Sequence, residues 1–213
     1  MSLDACPLCQ SEDIHFFYSD EHGIHYRCKV CDLISSAPKD LPSPETELAR
    51  YDTHENHPDD PGYRQFLSHL FEPMNELLAP GSFGLDFGSG PGPTLNIMFE
   101  EEGHTMNIYD PFYADDRSVF NEEYDFITST ETFEHLHQPR KEIDLLWSCL
   151  KPEGHLGIMT KQAKDKEHFK DWHYKKDETH VTFFSKDTFR WMADYWKADL
   201  TFYDHYVVIF QKP

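Results

Sequence analysis

Basic residues are scarce in this sequence. Its 213 residues include 19 Lys and Arg against 39 Asp and Glu, which gives a formal net charge of −20. Proteins that bind nucleic acid or anionic lipid neutralise phosphates mainly with Lys and Arg. The sequence contains no block of basic residues that could offset its acidity locally. The composition therefore argues against nucleic acid and anionic membrane surfaces as partners.

Long hydrophobic runs are missing as well. A helix that spans a bilayer needs about 20 consecutive apolar residues, and no run in the sequence approaches that length. The N-terminal segment lacks the charged-then-apolar pattern of a secretory signal, and Cys6 falls where the apolar part would begin. We therefore expect a cytoplasmic protein without a membrane partner.

Cysteine occurs five times, and four of the five form two close pairs. Cys6 and Cys9 form one C-x2-C pair, and Cys28 and Cys31 form the second. This arrangement is typical of a four-thiolate zinc site, in which two turns present sulfur atoms to a tetrahedral ion. Two disulfides are the alternative, but a reducing cytosol disfavours them. We predict a structural zinc ion bound by these four cysteines.

Two histidines near the cysteine pairs and the fifth cysteine are not expected to bind the zinc ion. His22 and His25 lie between the two cysteine pairs, but four thiolates already complete the zinc shell. The fifth cysteine, Cys149, stands alone in an apolar helical stretch. We interpret it as a small buried core residue.

The chain divides into three segments by composition. Residues 1–40 contain the cysteine pairs and predict a zinc-ribbon-like module. Residues 41–80 predict a helical linker or lid, with a short helix at 45–51 and a polar loop at 52–62. Apolar residues at helical spacing predict a second helix at 63–78, which Pro73 is expected to kink or break. Residues 81–213 form the third and largest segment.

Strands and helices alternate regularly in the third segment. The pattern predicts strands at 83–87, 105–109, 124–128, 155–160, 199–204 and 206–211, and helices at 94–102, 140–150 and 186–196. Alternating elements of this kind form a parallel sheet with helices on both faces. The last two strands are too close in sequence for a parallel crossover, so one of them is expected to be antiparallel.

Three alternating glycines follow the first strand of that segment. Gly88, Gly90 and Gly92 can adopt positive φ and let backbone N–H groups approach a ligand closely. A helix begins directly afterwards, and a helix N-terminus favours a negatively charged ligand group. The dinucleotide fingerprint requires a glycine at position 93, where this chain has Pro93. This difference argues against NAD and FAD.

The glycine run at 84–93 resembles motif I of the class I S-adenosylmethionine (SAM)-dependent methyltransferases of types 11 and 23. Segments 124–136, 150–156 and 179–185 resemble further motifs of that family in the same order. The resemblance implies a Rossmann-like α/β sheet, mostly parallel with an antiparallel last strand, behind the small N-terminal zinc-binding β-module. Only 13 residues separate Asp110 from Tyr124, so the family's third strand is expected to be shortened or missing, with 118–120 as its remnant.

The resemblance also implies a set of SAM-binding residues. Asp110 ends the second strand at a spacing that suits a ribose-binding acid, since it follows Gly88 by 22 residues. Asp86 corresponds to an acid that supports the glycine loop and the SAM ammonium group. For adenine, Asp115 and Asp116 are only possibilities. The predicted cofactor-binding residues are Asp86, Phe87, Gly88, Ser89, Gly90, Pro91, Gly92, Asp110, Pro111, Thr130 and Glu131.

Three histidines are candidate catalytic bases, because histidine titrates near neutral pH. His180 is the first choice, since it lies in a loop that resembles the acceptor side of the family, and His135 and His173 are the others. Each of them also has a purely structural interpretation, as a capping or packing residue. The aromatic cluster around Trp172 is either an acceptor-binding lid or a brace for a long loop.

These observations predict SAM-dependent methyl transfer by in-line displacement onto a small-molecule acceptor. Positioning of the acceptor in line with the methyl group then supplies much of the rate. Two alternatives stay open. One is an RNA methyltransferase of the ribosomal-RNA type that uses the zinc module, and the other is a non-catalytic interaction protein with the same fold.

Overall fold

The computed structural model describes residues 3–53 and 56–213. These residues form ten strands: β1 (Ile14–Asp20), β2 (Gly23–Cys28), β3 (Ile34–Ser36), β4 (Phe83–Phe87), β5 (Thr105–Tyr109), β6 (Tyr124–Thr130), β7 (Leu150–Met159), β8 (Thr182–Phe183), β9 (Asp199–Phe202) and β10 (Val207–Gln211). They also form six α-helices: α1 (Pro44–Tyr51), α2 (Pro61–Asn75), α3 (Leu95–Glu101), α4 (Pro139–Cys149), α5 (Lys166–Asp171) and α6 (Lys186–Trp196). No described helix has the length and hydropathy needed to cross a bilayer.

The larger sheet has six strands in the order β5-β4-β6-β7-β10-β9. Strands β5, β4, β6 and β7 are parallel, whereas β10 is antiparallel to both β7 and β9. The predicted α/β architecture with an antiparallel end is therefore confirmed. Because β4 to β7 are parallel, their carboxyl ends lie at one edge of the sheet, where open α/β sheets bind ligands.

Both faces of this sheet are covered by helices. Alternating residues of β10 point to opposite faces, so Val208 and Phe210 enter one buried cluster while Val207 and Ile209 enter another. The first cluster contains apolar residues of α4 and α6, and the second contains those of α2 and α3. Helix α2 approaches β7 so closely that a Cβ at Gly157 would lie 2.5 Å from the Met74 side chain.

The smaller sheet joins the N-terminal segment to the C-terminal third of the chain. Its order is β1-β2-β3-β8, and all three pairings are antiparallel. Ile34 of β3 pairs with Phe183 of β8, almost 150 residues later in the chain. Buried residues of the cysteine module, among them Leu8 and Leu33, belong to the same apolar cluster as Phe184. This module therefore packs continuously against the larger sheet.

The prediction of a remnant third strand at 118–120 is wrong. Residues Arg117–Asn121 form a 3₁₀ helix, and β5 is the edge of the sheet. The Asp116 side chain starts that helix by accepting a hydrogen bond from the Ser118 N–H at 2.9 Å. The Tyr124 hydroxyl then donates to the Val119 carbonyl at 2.7 Å, which anchors the turn and removes that carbonyl from strand pairing. The third strand is thus missing rather than shortened.

The helices of the middle segment differ from prediction at their ends. Helix α2 begins at Pro61 because Asp60 caps it, accepting from the Gly62 N–H at 2.8 Å. It continues through Pro73 but ends two residues later at Asn75, before the predicted end at residue 78. A proline supplies no N–H for the helical ladder, which favours an early end. Part of the loop predicted at 52–62, residues 54 and 55, lies outside the described residues.

Candidate functional site

The four paired cysteines lie together at one end of the N-terminal sheet. The Sγ atoms of Cys6 and Cys31 are 3.5 Å apart, those of Cys9 and Cys28 are 3.4 Å apart, and all four lie within 4.8 Å of one another. Four sulfurs placed 2.3 Å from a tetrahedral zinc ion would be separated by about 3.8 Å. No disulfide joins these cysteines, and the donor set and spacing of the cluster fit Zn²⁺.

The remaining predictions near this cluster can be placed in the structure. His25 is buried and lies edge-on against Phe169 at 5.0 Å, and burial lowers its pKa to about 4. His22 and His25 do not belong to the group that surrounds the cysteine sulfurs. Cys149 is buried in the apolar cluster beneath α4, as predicted.

A cleft of about 1600 Å³ opens at the carboxyl ends of the parallel strands. It is lined by most of the residues that the sequence predicts for the cofactor and the acceptor: Phe87, Gly88, Ser89, Gly90, Pro91, Asp110, Pro111, Thr130, Glu131, His135, His173 and His180. Two of the predicted residues, Asp86 and Gly92, lie behind this lining instead. The sequence motifs therefore converge on a single cleft.

The glycine loop forms one wall of the cleft and requires glycine at specific points. Gly88 and Gly90 have φ of +80° and +66°, in the left-handed region that favours glycine. A Cβ at Gly88 would lie 2.2 Å from the Thr132 Oγ1 atom, and one at Gly92 would lie 2.2 Å from the Asn56 carbonyl oxygen. The Ser89 hydroxyl is buried without a hydrogen-bond partner among the described residues. A narrow cradle with an unused polar group fits a polar ligand that contacts the loop closely.

Asp110 holds this loop in place. Its Oδ2 accepts from the Gly90 N–H at 3.0 Å, and its Oδ1 accepts from the N–H groups of Phe112 and Tyr113 at 2.9 and 3.1 Å. The Gly88 N–H donates to the Tyr109 carbonyl at 2.8 Å. The ribose-binding role of Asp110 stays a prediction. Asp115 and Asp116, considered for adenine, are exposed and are not part of the cleft lining.

Asp86 is a buried carboxylate directly behind the loop. It is 3% exposed, and its Oδ1 accepts from the Thr128 hydroxyl at 2.9 Å. Burial raises its pKa to about 7, and the nearby charge of Asp110 acts in the same direction. Its hydrogen bond goes to β6 and not to the glycine loop, so the loop-supporting role of Asp86 stays a prediction.

A second group of polar side chains follows β6. Glu134 is fully buried and accepts hydrogen bonds from the Thr160 hydroxyl, at 2.8 Å, and from the Tyr174 hydroxyl. The Tyr174 hydroxyl also lies 3.3 Å from Glu131. Burial raises the pKa of Glu131 to about 8 and that of Glu134 to about 7. Glu131 has a backbone φ of +47°, a conformation that residues other than glycine rarely adopt.

The three candidate histidines occupy two places in the cleft. The rings of His135 and His180 lie 4.7 Å apart, and burial lowers the pKa of both, to about 3 for His180. The His135 Nδ1–H donates to the Thr179 carbonyl at 2.9 Å. His173 is exposed, and its Nε2 lies 3.0 Å from the Lys161 Nζ. Two of the candidates therefore form a pair, and the third lies apart at the rim.

The aromatic cluster around Trp172 forms a brace, while Tyr174 of the same segment lines the cleft. Trp172 and Phe169 are buried and pack with Phe183 of β8, and Phe169 also contacts Phe17 of β1 edge-on at 5.3 Å. The cluster thus fixes the loop before β8 to the N-terminal sheet.

Several residues in and behind the cleft escaped sequence reasoning. Tyr174 lines the cleft and Glu134 lies buried behind it; the two are remote in sequence and meet only in the fold, although Glu134 belongs to a segment that resembles a family motif. Helix α1 contributes Arg50 and Tyr51, and helix α2 contributes Tyr63. The Glu-His pair directly after a predicted strand, within that motif, is the sequence signal that could have identified Glu134.

Comparison with known proteins agrees with this geometry. The profile of a methyltransferase domain family matches residues 25–203. A search of curated protein sequences gives no significant match.

Two solved structures illustrate the structural likeness. The 1,6-didemethyltoxoflavin N1-methyltransferase of Burkholderia thailandensis, solved with 1,6-didemethyltoxoflavin and S-adenosylhomocysteine, is 15% identical with a TM-score of 0.57, over 94% of this chain and 99% of that chain. A SAM-dependent methyltransferase of Archaeoglobus fulgidus is 14% identical with a TM-score of 0.54, over 70% of this chain and 94% of that chain. At such identities the likeness concerns the fold.

Proposed function

This chain belongs to the SAM-dependent methyltransferase family, and from that premise we propose that it methylates a small-molecule acceptor. The observation that carries the proposal is the cleft itself, in which the glycine loop, Asp110, Glu131 and the candidate histidines face one volume of about 1600 Å³. The net charge of −20 supports a small acceptor over a polyanionic one. The Burkholderia enzyme, which shares the fold, is named for its action on a small molecule.

We propose that the cofactor lies against the loop between β4 and α3. Gly88, Ser89 and Gly90 would contact its amino-acid end, because their backbone approaches the cleft without side-chain obstruction. Asp110, already fixed by three N–H groups, would accept from the ribose hydroxyls. Thr130 and Glu131 lie beside the loop on the neighbouring strand end and complete this wall.

SAM, when bound, supplies an activated methyl group that an acceptor atom takes by in-line displacement. The protein must therefore hold the acceptor in line and exclude water from its reacting atom. We propose that His135 and His180 contact the acceptor, because they line the cleft on the side of the loop before β8. His173, exposed at the rim beside Lys161, is proposed to bind the outer part of the acceptor.

The three segments of the chain have separate roles in this proposal. Residues 1–40 hold a structural zinc ion and brace the acceptor loop through the pairing of β3 with β8. Residues 41–80 cover the cleft, since α1 and α2 contribute to its lining. Residues 81–213 hold the cofactor.

A methyl-transfer assay tests the proposal. The purified chain is incubated with methyl-labelled SAM and either the low-molecular-mass fraction of cells or their purified RNA. We expect label in the small molecules and none in RNA at any salt concentration. Label in RNA that disappears with rising salt would instead identify an RNA methyltransferase. Binding of S-adenosylhomocysteine without any transfer to either fraction would identify a non-catalytic interaction protein.

A further inference from the structure

A mixed carboxylate and imidazole cluster adjoins the acceptor side of the cleft, where His135 and His180 belong to the lining and Glu134 is buried behind it. Glu134, His135 and His180 each offer one ligand atom, and these atoms lie within 4.8 Å of one another. The first two residues follow β6, and the third precedes β8, so the fold brings them together from separate parts of the chain. Nitrogen and carboxylate ligands in a set of three, with further positions open, are typical of divalent transition metals in proteins.

Hydrogen bonds fix both imidazole rings in a state that can bind a metal. The Nδ1 of His135 lies 2.9 Å from the Thr179 carbonyl oxygen. The Nδ1 of His180 lies 2.7 Å from the Tyr174 carbonyl oxygen. A carbonyl oxygen only accepts, so each Nδ1 carries the proton and each Nε2 keeps its lone pair when the ring is neutral. Metal-binding histidines in proteins usually donate their other N–H to a carbonyl or carboxylate in this way.

The two acids of the cluster have mainly neutral hydrogen-bond partners. Glu134 accepts from Thr160 and Tyr174, which orients its carboxylate, as is usual for metal-binding carboxylates. Glu131 shares the Tyr174 hydroxyl, and its buried Oε1 has no hydrogen-bond partner among the described residues. Lys161 lies 5.1 Å from the centre of the Tyr174 ring and contributes one positive charge to this side of the cleft. The Tyr174 hydroxyl is a neutral partner for both acids and Lys161 supplies one positive charge, so a bound cation would favour the ionised form of both carboxyl groups.

We propose that Glu134, His135 and His180 bind a divalent transition-metal cation, with Glu131 as a fourth, flanking ligand. The inference that this cation receives a hydroxyl oxygen of the acceptor rests on the proposed methyltransferase function. A bound cation lowers the pKa of a coordinated hydroxyl and so replaces a general base. The O–H bond of the acceptor breaks and its proton goes to water. The oxygen electron pair forms the new O–CH₃ bond, while the S–CH₃ pair stays on sulfur.

Manganese titration of the chain loaded with one equivalent of zinc, which the four cysteines bind in preference to nitrogen and oxygen ligands, tests this site. Mn²⁺ is a weak competitor for thiolates, so it does not displace zinc from the four cysteines. The free ion is counted by its electron paramagnetic resonance signal. We expect one Mn²⁺ bound per chain, weakened by about tenfold or more in His180→Ala and His135→Ala. The matched control His69→Ala removes an exposed histidine outside the cleft and should bind Mn²⁺ like the parent.

S-adenosylhomocysteine binding, measured on every variant, reports both folding and the proposed function. Variants that bind this nucleotide normally but have lost Mn²⁺ support the site. If the parent binds the nucleotide but neither Mn²⁺ nor zinc beyond the ion at the cysteines, the cation inference is wrong and the methyltransferase proposal stands. If Mn²⁺ binds and the nucleotide does not, the methyltransferase proposal and the acceptor role of the cation fail. Equal Mn²⁺ affinity in His180→Ala and the parent also overturns the assigned ligands.

Discussion

The charge of Asp86 should make this protein less stable at alkaline pH than it would be with a neutral side chain. The carboxylate is 3% exposed and receives one hydrogen bond, from Thr128. Asp86→Asn keeps an oxygen that can accept the same bond but removes the charge. The replacement also buries amide N–H groups without assured partners, which costs stability at every pH. The pH dependence therefore isolates the effect of the charge.

The size of the effect follows from the pKa of Asp86. Burial raises that pKa from 3.8 to about 7. Below pH 3.8 both the folded and unfolded chains are protonated at this position, and the charge has no effect on stability. Above it the unfolded chain ionises first, so the free energy of unfolding falls by about 1.4 kcal/mol per pH unit until the folded carboxyl also ionises near pH 7. The full penalty is then about 4 kcal/mol.

Urea unfolding of the parent and of Asp86→Asn at pH 5 and pH 8 measures this difference. We expect the stability of the variant relative to the parent to rise by about 2.5 kcal/mol between the two pH values. In the control Asp187→Asn, which replaces an exposed acid, the stability relative to the parent should differ little between pH 5 and pH 8, because that carboxylate is solvated. A relative stability of Asp86→Asn that is the same at both pH values would refute the burial argument.

Three further predictions concern other parts of the structure. Gly88→Ala should reduce S-adenosylhomocysteine affinity by tenfold or more, measured by calorimetry, because its Cβ would collide with Thr132 at 2.2 Å. The control Gly103→Ala also has a positive φ but its Cβ meets open space, so its affinity should match that of the parent. Unchanged affinity in Gly88→Ala would contradict the loop assignment. Removal of zinc by a chelator should abolish hydrogen-exchange protection in residues 3–36 while nucleotide binding persists, and full protection in the chelated protein would show that no metal holds the module. Lys175→Met should lower the free energy of unfolding by about 3 kcal/mol, since it leaves Asp20 without the buried partner that lowers its pKa; a loss below 1 kcal/mol in urea unfolding would show that the pair is dispensable.

Local patterns in the sequence were enough to predict the main sheet and the glycine loop. Strand β4, the three glycines and helix α3 follow one another within twenty residues, so their geometry depends on local chemistry such as the positive φ of Gly88. The cysteine pairs could be recognised for the same reason, because the spacing within each pair fixes the turn that presents the two sulfur atoms. In both cases short-range spacing determines the structure.

Contacts between distant parts of the chain could not be predicted in this way. Tyr174 reaches Glu134 only because β8 pairs with β3 and places the preceding loop over the cleft. Likewise, Asp110 accepts from the Gly90 N–H, twenty residues earlier in the chain, which no spacing rule indicates. The 3₁₀ helix at Arg117–Asn121 forms because one side-chain cap and one tyrosine hydroxyl outweigh the weak strand propensity of three residues. Each of these features depends on contacts that form only in the folded chain.

Calorimetric titration of the zinc-loaded chain with S-adenosylhomocysteine tests the central assignment most directly. A cleft that holds this nucleotide against the loop after β4 should give one-to-one binding with a micromolar dissociation constant. Absence of binding heat at millimolar nucleotide, at two temperatures so that a zero enthalpy is not mistaken for no binding, would contradict the assignment of this cleft.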